Sequence, residues 1–468
     1  MIAAICLSLL SLAPLQDGLK PEVVKAIDHV FQRWSRRTSP GCVVAVYKDG
    51  RMQYGKGFGA ANLEHRIPIT TETVFRIAST TKQFTAACVV LLELDGELSF
   101  RDDISKWIPE LPPYSDAILV EDLVHHTSGL REYLDLLAWA GHSDDAEIDA
   151  QTVFDLVTRQ RGLNHRPGEE YAYTNTGYFL LSILVERISG DSLRAFAQRR
   201  VFDPLGMQHT FYNDDADEVI PKRATGYERG WLGEAFRISE TRLEVIGDGG
   251  VFTTAEDLLR WDANFYEPRL GGQTFLNRML APAVLRTGDV LDYASGLNVQ
   301  TWRSKRVVSH GGAFVGFRSQ LMRFPDEHTT ILCLSNRADF EANKRCEEVA
   351  EILFDDLTAP SLTSDKGPRR PRPVPEDKDP LPAPEPDLCA GAYSSDELGV
   401  TWQLRAAGPH LYIDGIQKKP VRFSTKPDGT YRGGGAHVRF FVDEQGHVAR
   451  FTISCPTARG IEFTRDPD

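Results

Sequence analysis

Ser79 and Lys82 stand three residues apart at the start of an apolar segment, and their types suit covalent chemistry. On a helix, residues at that spacing share a face, so the hydroxyl and the amine come within hydrogen-bonding reach. Burial disfavours the charged form of a lysine, and a neutral amine can take the serine proton as the hydroxyl attacks a carbonyl. The first turn of the helix also presents free backbone N–H groups to the oxyanion that develops. S-x-x-K alone is expected about once by chance in a chain of this length, and its plain reading is a serine N-cap with an exposed lysine. Lys82, however, precedes Ala86, Ala87, Val89, Val90, Leu91 and Leu92. A lysine buried in such a helix needs a reason.

Two later segments carry compatible groups. In Tyr171-Ala172-Tyr173-Thr174-Asn175-Thr176-Gly177-Tyr178, the Tyr173 phenol held near a lysine can lose its proton more easily, or act as acid to a leaving group. Asn175 can hold a substrate amide or fix the lysine, and its plain reading is a helix N-cap beside an aromatic patch. In Val308-Ser309-His310-Gly311-Gly312-Ala313-Phe314, expected at the end of a strand, Gly311 and Gly312 let a substrate backbone approach closely, and Ala313 can lend an N–H to an oxyanion hole. The plain reading is a turn between strands. There is no phosphate loop, zinc helix or G-x-S-x-G elbow.

The elements that must position these groups can be read from periodicity. Val23, Ile27, Val30, Phe31 and Trp34 recur at helical spacing over 22–34, followed by a hairpin of 42–47 and 52–58 around Asp49-Gly50. Buried helices are expected over 79–94, ending at Asp95-Gly96, and over 178–189, ending at Gly190. Strands return at 307–308, 315–324 and 329–334, then a helix over 339–357. Both ends of this region supply a helix and strands to one sheet, and the middle forms a helical lobe. Nine prolines between Pro360 and Pro386 mark an extended linker. Beyond it, alternating runs at 400–404, 410–413, 438–442, 448–453 and 461–463 predict a small antiparallel barrel or sandwich.

Taken together, S-x-x-K, Y-x-N and H-G-G in this order resemble the serine β-lactamase-related family, which includes class C β-lactamases, D-alanyl-D-alanine carboxypeptidases, D-aminopeptidases and esterases. Leu123 to Leu130, Pro167-Gly168 and Gly249 to Leu258 also match. The resemblance covers roughly 17–357. It implies an α+β fold, with a β-lactamase/transpeptidase-like antiparallel sheet flanked by helices, a helical lobe, and a small all-β barrel afterwards. The expected divisions are a candidate signal peptide at 1–16, a serine hydrolase domain at 17–358, the linker at 359–387 and a lipocalin-like barrel at 388–468.

By the same resemblance Ser79 is the acylated nucleophile. Lys82 and Tyr173 share the acid and base work, and Asn175 positions Lys82 and substrate. The N–H groups of Ser79 and Ala313 form the oxyanion hole, and His310, Gly311 and Gly312 line the substrate site. His126, in the Thr-Ser-Gly segment, is read as part of a structural turn. Where many relatives carry lysine, His310 is mostly neutral at pH 7. Carboxylate recognition is therefore expected to be weak, and a peptidase or esterase is favoured over a β-lactamase. The alternative is a β-lactamase, or a penicillin-binding sensor or scaffold with little turnover. No metal or other cofactor is implied. The expected substrate is a small peptide, ester or β-lactam, and a homo-oligomer is compatible with the family.

Composition narrows the classes further. The 468 residues contain 53 Lys+Arg against 66 Asp+Glu, a net charge of -13, which disfavours nucleic acid and anionic lipid surfaces. Met1 to Pro14 is apolar and uncharged, too short for a spanning helix and read as an export signal. A periplasmic or secreted location follows from that expectation, a cytoplasmic one if the segment is not a signal. Seven scattered cysteines make no metal motif, and Cys389 with Cys455 could pair under oxidising conditions.

Overall fold

The computed structural model describes residues 18–143, 146–230, 235–354, 382–414, 416 and 420–467. The expected signal segment and most of the expected linker lie outside these residues. Six strands, β1 (Cys42–Lys48), β2 (Arg51–Phe58), β3 (Asn298–Trp302), β4 (Lys305–Phe314), β5 (Phe317–Phe324) and β6 (Thr329–Ser335), form one sheet in the order β3-β4-β5-β6-β1-β2. Every pairing is antiparallel, and β1 lies directly against β6. The two ends of the domain therefore meet in the middle of the sheet.

Strand β1 is an unbroken apolar run because both of its faces are covered. Val43, Ala45 and Tyr47 face the helical lobe, while Cys42, Val44 and Val46 face the terminal helices α1 (Pro21–Phe31) and, at the far end of the domain, Ala342–Leu353. Ile27 and Phe31 of α1 are fully buried on that face, each contributing about 1.5–3 kcal/mol relative to exposure. The far-end helix is shorter than its expected span of 339–357. The Asp339 carboxylate before it accepts from Arg337 Nε at 2.7 Å and Arg229 Nε at 3.0 Å, which holds the chain in a loop.

In the lobe, α2 (Lys82–Leu94) is buried along most of its length. It packs against the later helix Asn175–Ser189, with shorter helices α3 (Val120–Val124) and α4 (Tyr133–Trp139) between them in sequence. The Asn175–Ser189 helix, α5, starts three residues before its expected bound, with Thr174 as its N-cap through Thr176 N. It ends at Gly190, whose φ of 74° suits a left-handed cap.

The C-terminal residues form a closed eight-stranded antiparallel barrel, β7 (Gly391–Ser395), β8 (Val400–Ala407), β9 (His410–Asp414), β10 (Val421–Thr425), β11 (Tyr431–Gly433), β12 (Ala436–Val442), β13 (Val448–Cys455) and β14 (Ala458–Arg465). Strands β7, β10 and β11 were not foreseen. The barrel interior is filled by side chains such as Tyr393, Trp402, Phe451 and Phe463, whose rings pack on one another. The envisaged Cys389–Cys455 disulfide is not formed. Cys389 lies near the Pro384 carbonyl and Cys455 beside Asp135 at 3.4 Å, and both are free thiols.

Candidate active site

Ser79 lies in a tight 3₁₀ turn, Ala78–Thr81, that leads into α2. Ala78 immediately before it has φ of 47°, a left-handed conformation costing a non-glycine residue about 1–3 kcal/mol that the surrounding bonds must offset. Those bonds are present. Ile77 N donates to Val251 O at 3.0 Å, Ser319 Oγ donates to Ile77 O at 2.6 Å, and Val251 N donates to Thr81 Oγ1 at 3.1 Å.

Lys82, the first residue of α2, is fully buried. Its Nζ lies 3.2 Å from Ser79 Oγ, 2.7 Å from Asn175 Oδ1 and 2.9 Å from the Asp248 carbonyl oxygen. Burial pulls its pKa down to about 8 against the opposing pull of Asp248 and Glu132. A neutral amine has two N–H bonds and one lone pair. Asn175 Oδ1 and Asp248 O accept the two N–H bonds, which leaves the lone pair for the Ser79 hydroxyl. The arrangement suits a base that takes the serine proton.

Asn175 is oriented from behind by Glu132, the N-cap of α4. Its backbone N donates to Glu132 Oε2 at 2.5 Å and its Nδ2 to Oε1 at 3.1 Å. With Nδ2 so committed, Oδ1 must face Lys82. Burial raises the Glu132 pKa to about 7, partly countered by the hydrogen bonds from Asn175 and Thr174. The next residue, Tyr133, donates its hydroxyl to Asp248 Oδ2 at 3.0 Å. Glu132, Tyr133 and Asp248 escaped the sequence reading. The signal available was the charged residues Arg131, Glu132 and Asp135 among the apolar Leu130, Tyr133, Leu134, Leu136 and Leu137.

Tyr173 and Ser79 line the same cavity, and Lys82 Nζ lies 5.0 Å from the tyrosine ring centre. Burial raises its pKa well above the ordinary phenol value, outweighing the lowering by Ser79. The sequence expectation of an easily lost proton is thus reversed at rest, and the group is a neutral phenol beside the nucleophile. His126, with φ of 59°, forms the expected turn and also supports this ring at 4.1 Å between centroids. Its Nδ1 accepts from Thr174 N at 3.3 Å.

The segment Val308 to Phe314 closes a strand as expected and does not form a turn. His310-Gly311-Gly312 runs inside the last half of the ten-residue β4, and the turn is Val315-Gly316, with Val315 at φ 41°. Gly312 is required by the protein itself. A Cβ there would stand 2.1 Å from Ile77 O, 2.4 Å from Ser319 Oγ and 3.1 Å from Ser79 N, so the strand passes directly beside the nucleophile's amide. His310 Nδ1 donates to Gly311 O at 2.7 Å, which leaves Nε2 to accept from the Tyr293 hydroxyl at 3.0 Å. Both ring nitrogens are used within the protein, and burial lowers the His310 pKa to about 3. Tyr293, also unforeseen, packs against Tyr173, His126 and His310.

Ser79, Tyr173, Tyr293 and His310 to Ala313 line one cavity of about 620 Å³, which continues past Gln300 and Gln320 toward Asn343 and Glu347. Neither Lys82, which is fully buried, nor Asn175 lines it. Residues Tyr227–Arg229 pair with Phe236–Ile238 as a hairpin, with 231–234 outside the described residues. Among the described residues no group of three or more His, Cys, Asp or Glu is arranged to hold a metal ion, and no helix is long and apolar enough to cross a membrane.

The model of the family described as Beta-lactamase matches residues 26–353. Penicillin-binding protein 4* of Bacillus subtilis (strain 168) is 29% identical over 357 residues, 72% of this chain and 77% of the relative. A D-aminopeptidase of Gluconobacter oxydans (strain 621H) is 30% identical over 303 residues, 64% of this chain, and the match spans 57% of that relative's length. The octameric penicillin-binding protein homologue from Pyrococcus abyssi superposes with a TM-score of 0.64 at 19% identity, over 95% of this chain and all of that one. That likeness extends the shared fold across both domains.

Proposed function

The chain belongs to the beta-lactamase family, and on that premise we propose that it is a serine hydrolase of peptidase or esterase type, acting through an acyl-enzyme on Ser79. The observation that carries the reading is the buried Lys82 amine 3.2 Å from Ser79 Oγ, with two carbonyl oxygens taking its N–H bonds.

In the proposed reaction, Lys82 takes the proton as Ser79 Oγ bonds to the substrate carbonyl carbon. The Ser79 and Ala313 N–H groups receive the oxyanion. The tetrahedral intermediate collapses as Tyr173 gives its phenolic proton to the departing amine or alcohol, and the proton on Lys82 restores Tyr173. Water then attacks the acyl-enzyme, giving a proton to the same base, and the product acid leaves as Ser79 is reprotonated.

Substrates are proposed to be small amides or esters without a carboxylate beside His310, since that ring is neutral and its nitrogens are occupied. The D-aminopeptidase relative supports amides of D-amino acids as the first class to try. Export through residues 1–16 is part of the proposal. Hydrolysis of D- and L-amino-acid amides and esters, with Ser79→Ala in parallel, tests it. Turnover abolished by the substitution supports the enzyme, whereas a stable β-lactam adduct without turnover would favour a penicillin-binding sensor.

A further inference from the structure

Helix α4 touches both halves of the molecule. On its inner side Glu132 orients Asn175, whose Oδ1 accepts from Lys82, and Tyr133 holds the Asp248 side chain, whose backbone carbonyl accepts from the same amine, so both residues that receive the Lys82 N–H bonds are tied to the first turn of this helix. On its outer side the barrel grips the same turn. Glu132 N donates to Thr457 O at 2.9 Å, in the turn between β13 and β14. The Thr457 hydroxyl donates to Asp135 Oδ2 at 2.5 Å, and Trp402 Nε1 donates to Trp139 O at 3.2 Å.

The residue before Glu132 is tied to the barrel by charge. Arg131 Nη1 donates to Glu397 Oε1 at 2.6 Å, and the two side chains are 4% and 8% exposed. Arg131 Nε donates to Arg459 O at 2.9 Å. Glu397 also accepts from Arg161 N at 2.7 Å, and its carbonyl accepts from Gln160 Nε2 at 2.9 Å. Asn164 braces the turn by donating to Thr457 O at 2.9 Å and accepting from Arg459 N at 2.8 Å. Breaking a desolvated, hydrogen-bonded ion pair by removing one partner is strongly destabilising, so the seat is defined rather than loose.

We propose that the C-terminal barrel positions the catalytic lysine through α4, with Arg131, Glu132 and Glu397 as positioning residues, so that turnover in the first domain depends on how the barrel is seated. The proposal rests on the Ser79–Lys82 reading. It differs from a cover over the cavity mouth, because the contacts join Arg131, Glu132, Asp135 and Trp139, none of which lines the cavity, to the barrel, and they reach the amine through Glu132 and Asn175. Its direction follows from burial. Loosening the seat admits water around Glu132 and Lys82, which weakens the burial that lowers the lysine pKa and charges the carboxylate that raises it.

The test is the rate of Ser79 labelling by a fluorophosphonate across pH, on the full chain, for wild type, Glu397→Ala, Glu397→Gln and Thr457→Val, with Ser79→Ala as control. The maximal labelling rate of Glu397→Ala should fall on the order of tenfold, with probe affinity unchanged and the acid limb moved to higher pH. Glu397→Gln, which keeps an oxygen toward Arg131 and Arg161, should recover most of it. Thr457→Val should shift the limb the same way if Glu397→Ala does not fold. Variants with lowered melting temperature but wild-type rate and limb would overturn the proposal while leaving the Ser79 reading intact. Wild type that shows no Ser79-dependent labelling would overturn both.

Discussion

Glu132 holds Asn175 at two points, accepting from its backbone N at 2.5 Å and from its side-chain Nδ2 at 3.1 Å. The asparagine amide therefore has one permitted orientation, with its oxygen toward Lys82. Glu132→Ala is expected to free that amide and lower kcat on a cleaved ester by roughly 10²-fold, with KM little changed. Steady-state kinetics on the folded variant check it. A proportionate rise in KM instead would place Glu132 in substrate binding.

Lys82 acts as a base only when neutral. With its pKa lowered from 10.5 to about 8 by burial, kcat/KM should rise with pH up to about 8 and level above it. Lys82→Ala should lose about 10²–10⁴-fold, the usual worth of a positioned base. A profile already flat from pH 6 upward would contradict a lysine base.

Tyr173 is a neutral phenol at rest, because burial raises its pKa above the ordinary 10 against the opposing pull of Ser79. The pH profile should therefore show no loss of activity from this group below pH 10. Tyr173→Phe should lower kcat by about 10²–10⁴-fold by removing the proton carried to the leaving group. The loss should be larger for amides than for activated esters, whose leaving groups depart without protonation.

Gly312→Ala places a methyl group 2.1 Å from Ile77 O and 2.4 Å from Ser319 Oγ. Those atoms hold the strained Ala78–Ser79 turn, so the substitution should cost about 1–3 kcal/mol in stability and most Ser79 labelling. Chemical denaturation and probe kinetics on the same sample check both. Gly311→Ala meets only the end of the Gln320 side chain, at 2.5 Å, and should be milder.

The four motif residues were legible because their chemistry is written in type and local spacing. Ser79 and Lys82 share one helical face, and Tyr173 and Asn175 flank the Thr174 cap. Glu132, Asp248 and Tyr293 were not legible, since each reaches the site through the packing of a distant segment. His126 was visible as a turn residue, but its support of Tyr173 depends on the fold. The hydrophobic periods located five of the six strands of the sheet, missing the edge strand β3, and the two long buried helices. They missed β10 and β11 because these barrel strands are short and place few apolar residues inward. The H-G-G segment was legible as the end of a strand, but its sequence left a turn equally open until the neighbouring Ile77 carbonyl showed why no side chain fits at Gly312.

The most direct measurement is the intact mass of the full chain after brief exposure to a fluorophosphonate, beside Ser79→Ala. One adduct on wild type, located at Ser79 and absent from the variant, is the expected result. Folded wild-type protein with no adduct, or an adduct that persists in Ser79→Ala, would contradict an activated serine at this position.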